Sequence, residues 1–106
     1  MNEKLQTILT ELRAQLAALY GDRLVKVILF GSQARGDATP ESDIDVMVVL
    51  QGAVDPFAEI DRTSRLNAEL SLAFDTLISR TFLSEQEFRE GQSSLLRNVR
   101  REGVFV

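Results

Sequence analysis

Apolar residues recur at Leu5, Ile8, Leu9, Leu12, Leu16 and Leu19, at spacings of three and four. That period puts them on one stripe of a helix, predicted over about residues 3 to 20 and stopped near Gly21. Val25 to Phe30 follows as a short, largely β-branched and aromatic run closed by Gly31, the pattern of a buried strand. Residues Gly31 to Ser42 are polar and carry the turn formers Gly36, Asp37 and Pro40, so they read as a loop. From Asp43 the sequence DIDVMVVL alternates and then becomes continuously apolar, as a central strand does when its first residues emerge at the edge of a core.

Beyond that strand the pattern is looser. Asp55 and Pro56 form an N-cap followed by proline at the first helical position, and Phe57, Ile60, Leu66 and Leu70 supply an apolar face for a second helix. Ala73 to Phe82, with Thr76, Ile78 and Thr81, predicts a third strand. Ser84 and Glu87 make a capping box, and Ser94 precedes a last helix bearing Leu95, Leu96 and Val99 and closed by Arg100, Arg101 and Gly103. Val104 to Val106 adds a short edge strand, with Phe105 and Val106 completing a sheet within the protomer or in a dimer.

This order predicts one α/β (α+β) domain over residues 1–106, a small mixed sheet of three to four strands flanked by helices. A chain of 106 residues accommodates a single core but no separate substrate domain, so a second substrate surface must be shallow or borrowed. The hydrophobic fraction of 44% and charged fraction of 26% are those of a globular protein. No apolar run has the length of a membrane span, and the amphipathic start MNEKLQTILTEL is no secretory leader, so a cytosolic location is expected.

Cysteine and histidine are both absent, which excludes disulfides, thiolate nucleophiles, histidine-based triads and imidazole or thiolate zinc sites. A net charge of −4 disfavours an extended nucleic-acid surface but leaves a small anionic ligand open. Strand alternation puts Asp43 and Asp45 on one face, and two carboxylates so close call for solvent or a hard divalent cation. Oxygen ligands alone select Mg²⁺, Mn²⁺ or Ca²⁺.

Upstream, Gly31 lets backbone N–H groups approach a phosphate and Ser32 adds a hydroxyl, although Gly-Ser is also an ordinary turn. Arg35 has the planar donor fork that suits phosphate oxygens, or pairs with Asp37 as a solvated loop arginine. Ser42 either orients a carboxylate or bonds its own turn. Arg97, Arg100 and Arg101 would dock a partner or nucleic acid, or complement the helix macrodipole.

Taken together, FGSQARGDATPESDIDVMVV resembles the signature of the minimal nucleotidyltransferases of the DNA polymerase beta superfamily. Phe30 precedes Gly31-Ser32, ten residues intervene, and Asp43-Ile44-Asp45 is followed by the apolar Val46. The resemblance implies the nucleotidyltransferase fold of the polymerase beta type and transfer of a nucleoside monophosphate, AMP from ATP, with two Mg²⁺ ions, for which Mn²⁺ can substitute. It implies that Asp43 and Asp45 hold the metal, that Gly31, Ser32, Arg35 and Ser42 bind the nucleotide, and that a third carboxylate on a later strand ligates the catalytic metal and helps deprotonate the incoming hydroxyl. Asp75 in AFDTLIS is the expected third, carried beside Asp45 by strand pairing. Stand-alone relatives often act as antitoxins that modify a tyrosine of a HEPN-domain toxin, so a HEPN partner is expected. A non-catalytic partner-binding module and transfer to a small molecule such as an aminoglycoside are the alternatives.

Overall fold

The computed structural model describes residues 2–39 and 42–106, so Pro40 of the predicted loop lies outside the described residues. The first stripe forms α1, Glu3–Tyr20, whose N-terminus is capped by Asn2 Oδ1 accepting the Leu5 N–H at 2.7 Å. Leu5, Ile8, Leu9, Leu12 and Leu16 are buried as the period requires, while Leu19 faces solvent and Tyr20 takes the last inward place. A 3-10 turn over Gly21–Arg23 leads into β1, Leu24–Phe30. Next come α2, Ser32–Arg35, and β2, Ile44–Leu50.

Two helices follow, α3 over Pro56–Arg62 and α4 over Ser64–Phe74, then β3, Ile78–Ser84. The chain continues as α5, Glu85–Glu90, α6, Ser94–Glu102, and β4, Val104–Phe105. The four strands form one sheet in the order β3-β2-β1-β4. β1 is antiparallel to β2 and β4, and β2 is parallel to β3. The mixed sheet flanked by helices agrees with the expected fold class.

Alternation along β2 divides the core into two layers. Val46, Val48 and Leu50 pack with α1 and with Leu70 of α4. Met47 and Val49 face the other way, against Phe88 of α5 and Val99 of α6. Each layer removes apolar area from water at roughly 25 cal/mol per Å², so burial on both faces holds the central strand. The capping box at Ser84 forms as predicted, with Ser84 and Glu87 bonding each other's backbone.

Three expectations need correction. Part of the predicted loop is helical, because Gly31 O accepts from the N–H groups of Ala34 and Arg35 and starts α2. The second helix breaks at Thr63, a fully buried residue whose Oγ1 donates to Glu59 O at 2.9 Å and accepts from Arg80 Nε at 3.0 Å. This back-bonding competes with the regular helical ladder. Most consequentially, the third strand begins at Ile78 rather than Ala73: Leu70 pulls α4 into the core and the helix runs to Phe74. Asp75 is its C-cap, in the left-handed conformation at φ 50° and ψ 56°.

Candidate active site

The start of β2 meets the end of β1 at one uncovered part of the sheet. Asp45 pairs with Phe30 on β1 and with Ser79 on β3, so all three share a sheet face. α5 and α6 cover that face over Met47 and Val49, leaving Asp45 and Phe30 only half-buried and Ser79 exposed. Asp43, one alternation step earlier, is exposed. Gly31 follows Phe30 with φ 74° and ψ −156°, a backbone region that is essentially glycine's alone. A methyl group in the place of its missing Cβ would stand 2.5 Å from Asp45 Oδ2. The Gly-Ser turn is therefore set close against Asp45.

Burial pushes the Asp45 carboxyl above the ordinary carboxylate value, the Asp43 charge adds to that rise, and Arg35 opposes it. The pair thus carries negative charge that the chain compensates only in part. Arg35 is itself shared, its Nε 3.3 Å from Asp37 Oδ2 and its Nη1 3.9 Å from Glu102 Oε2 on α6. Ser32 and Gln33 open the short α2, where the first backbone N–H groups have no acceptor within the helix. Ser42 bonds its own turn, its Oγ accepting from Thr39 N–H at 2.9 Å and its carbonyl from Gln33 Nε2 at 3.3 Å.

The predicted third carboxylate is not brought beside Asp45. Since β3 begins at Ile78, the parallel register sets Ser79 opposite Asp45, and Asp75 falls in the turn before the strand. It lines instead a cleft of about 550 Å³ together with Ser42, Asp43, Ser71, Leu72, Thr76 and Leu77. Among the described residues no three acidic side chains gather as a metal-binding cluster. The oxygen-only donors of Asp43 and Asp45, with their excess negative charge, nevertheless fit a hard divalent ion whose other ligands come from phosphate and water. Ser79 had no signal in the sequence, because its place depends on a register between strands far apart in the chain.

The model of a nucleotidyltransferase domain matches residues 9–99. The chain belongs to that family. This nucleotidyltransferase is 39% identical, over 97% of its length and 96% of the relative's, to the "Putative protein adenylyltransferase MJ0604" of Methanocaldococcus jannaschii. It is 29% identical to the protein adenylyltransferase MntA of Thermococcus cleftensis, covering 98% of this chain and 94% of that one. In fold it is similar to a solved structure of the tri-AMPylated Shewanella oneidensis HEPN toxin in complex with MNT antitoxin, with a TM-score of 0.61 at 22% identity. That match covers 94% of this chain and 69% of the other. The minimal-nucleotidyltransferase resemblance read from the Gly-Ser and Asp-x-Asp spacing is borne out. Among the described residues no helix is long and apolar enough to cross a membrane.

Proposed function

We propose that this nucleotidyltransferase moves AMP from ATP onto a hydroxyl of a partner protein, and that the partner is a HEPN-type toxin which the modification silences. The close approach of Gly31 to Asp45 carries this reading, since the absence of a side chain at Gly31 keeps the backbone of the Gly-Ser turn beside the Asp45 carboxylate. The adenylyltransferase names of the relatives support AMP as the transferred group and a protein as the acceptor. The neighbouring HEPN toxin complex supports the choice of partner.

Asp43 and Asp45 would hold two Mg²⁺ ions. Bound Mg²⁺ offsets triphosphate charge and favours displacement at the α-phosphorus. The hydroxyl of Ser32 and the N–H groups of Ser32 and Gln33 grip the β- and γ-phosphates. Arg35 adds a cationic fork there once its bonds to Asp37 and Glu102 exchange for phosphate oxygens. Ser42 acts on the nucleotide by shaping the loop. In the transfer the acceptor oxygen bonds to the α-phosphorus, the bond from that phosphorus to the bridging oxygen breaks, and pyrophosphate leaves. The hydroxyl proton passes to water in the cleft beside Asp43. Asp75, set apart from the pair, serves the acceptor side.

Incubation with ATP labelled at the α-phosphate, Mg²⁺ and the purified HEPN partner tests the reading. Label should appear on the partner and vanish with Asp43→Ala. Tight complex formation without any label would favour a purely binding module.

A further inference from the structure

Phosphoryl transfer is in line, so the attacking oxygen and the leaving pyrophosphate stand on opposite sides of the phosphorus. With the triphosphate tail over Gly31 and Ser32, on the β1 side of Asp45, the acceptor must approach from the β3 side. The cleft that holds Asp43 and Asp75 lies on that side, walled by the last turn of α4 and the turn into β3. Ile44 N–H donates to Leu77 O at 2.9 Å and fixes this wall against the start of β2.

Packing of the chain itself leaves three features of the cleft unexplained. Leu72 and Leu77 are 84% and 67% exposed, large apolar side chains in water beside a catalytic carboxylate. Ser71 Oγ, also in the cleft lining, is buried with no hydrogen-bond partner among the described residues. The Asp43 and Asp75 carboxylates have no salt-bridge partner among the described residues, which leaves the cleft acidic.

We propose that this cleft docks the acceptor segment of the partner protein, which lays an apolar side chain on Leu72 and Leu77 and a basic side chain toward Asp75, next to the hydroxyl that receives AMP. The inference rests on the AMP-transfer reading and adds the surface that selects the acceptor. It also accounts for how one small domain positions a second substrate, by a shallow wall that includes Asp43. Asp75 is then a positioning residue for the acceptor.

The chain has no cysteine, so Leu72→Cys supplies a single thiol for a benzophenone photo-cross-linker. Phe57→Cys, exposed on α3 beyond the far end of β2, is the control. With the HEPN partner as probe and without nucleotide, cross-linking is expected from position 72 and not from 57, into the segment that carries the modified residue. Equal cross-linking from both positions, or cross-linking only between copies of this chain, would overturn the proposal.

Kinetics supply a second measurement. Leu72→Asp with Leu77→Asp should raise the KM for the partner about tenfold or more, while the thermal shift given by Mg²⁺ and a non-hydrolysable ATP analogue is retained. An unchanged KM sinks the docking proposal and leaves AMP transfer standing. A wild-type protein that binds Mg²⁺ and nucleotide yet labels no partner sinks the transfer reading and this one with it.

Discussion

Replacing Gly31 by alanine tests whether the turn and the acidic pair form one site. Two costs arise in the folded state. At φ 74° and ψ −156° the backbone strain for a residue with Cβ is of order 1–3 kcal/mol. The new methyl would also meet Asp45 Oδ2 at 2.5 Å, so that carboxylate must swing away from where the ligand would need it. Together these should destabilise by about 2–3 kcal/mol, or a drop in Tm of roughly 10–15 °C for a domain of this size.

Gly36 provides an internal control. It too has positive φ, at 82° with ψ 12°, but nothing lies within 4 Å of where its Cβ would be. Gly36→Ala should therefore lose only about 1 kcal/mol, the left-handed penalty. Circular dichroism melts with and without Mg²⁺ and a non-hydrolysable ATP analogue separate the two variants. Gly36→Ala should keep the stabilising response to ligand, whereas Gly31→Ala should lose it. If Gly31→Ala melts like Gly36→Ala and responds fully to ligand, the turn does not shape the carboxylate site.

Asp45→Asn should raise the Tm of the metal-free protein near neutral pH. Since the folded-state pKa is raised, the contribution of a protonated Asp45 is fully present below the unfolded value of about 3.9 and is lost as pH rises through the folded value. The advantage of Asn should accordingly disappear in melts below about pH 3, and an advantage constant across pH would contradict the assigned cause. Asp43→Ala should lower the transfer rate by about a thousandfold, several kcal/mol of charge stabilisation, whereas Asp75→Asn should act mainly through the KM for the partner. Equal loss of kcat in both would return Asp75 to the metal. Glu59→Ala strands the buried Tyr20 hydroxyl, which donates to Glu59 Oε1 at 2.7 Å, and should cost about 2–3 kcal/mol in urea unfolding. A change below about 0.5 kcal/mol would show that water replaces the carboxylate.

The parts of the fold legible in the sequence are those decided locally. The stripe from Leu5 to Leu16 and the run of Val46 to Leu50 have periods that permit few other structures, and the turn between the first strands is marked by Gly31 and Gly36. The pairing of Gly31 with the acidic residues was legible because a single loop joins them. Asp75 was misplaced because AFDTLIS contains β-branched residues while the helix end carries no glycine; aspartate assumes the left-handed C-cap instead. At the break, Thr63 Oγ1 also accepts from Arg80, seventeen positions away, and no local pattern reports that bond. Likewise Glu59 looks like a surface acid, yet it is 4% exposed, its carboxylate accepting a hydrogen bond from Tyr20 and pairing with Arg62, whose Nε lies 3.4 Å away.

β2 serves as a ruler through the domain. Its first residues present the Asp45 carboxylate, and Arg23, which spans to Gln51 O and to Glu59, fastens the chain just past its last residue. Seven residues of extended chain separate these functions by about 20 Å. Substitutions that loosen the Tyr20 and Glu59 end and substitutions that silence the Asp45 end should therefore combine additively. A library selected for thermal endurance would enrich changes at one pole, and a library selected for a new acceptor would enrich them at the other. The same short strand would then let this domain diversify its targets without renegotiating its fold.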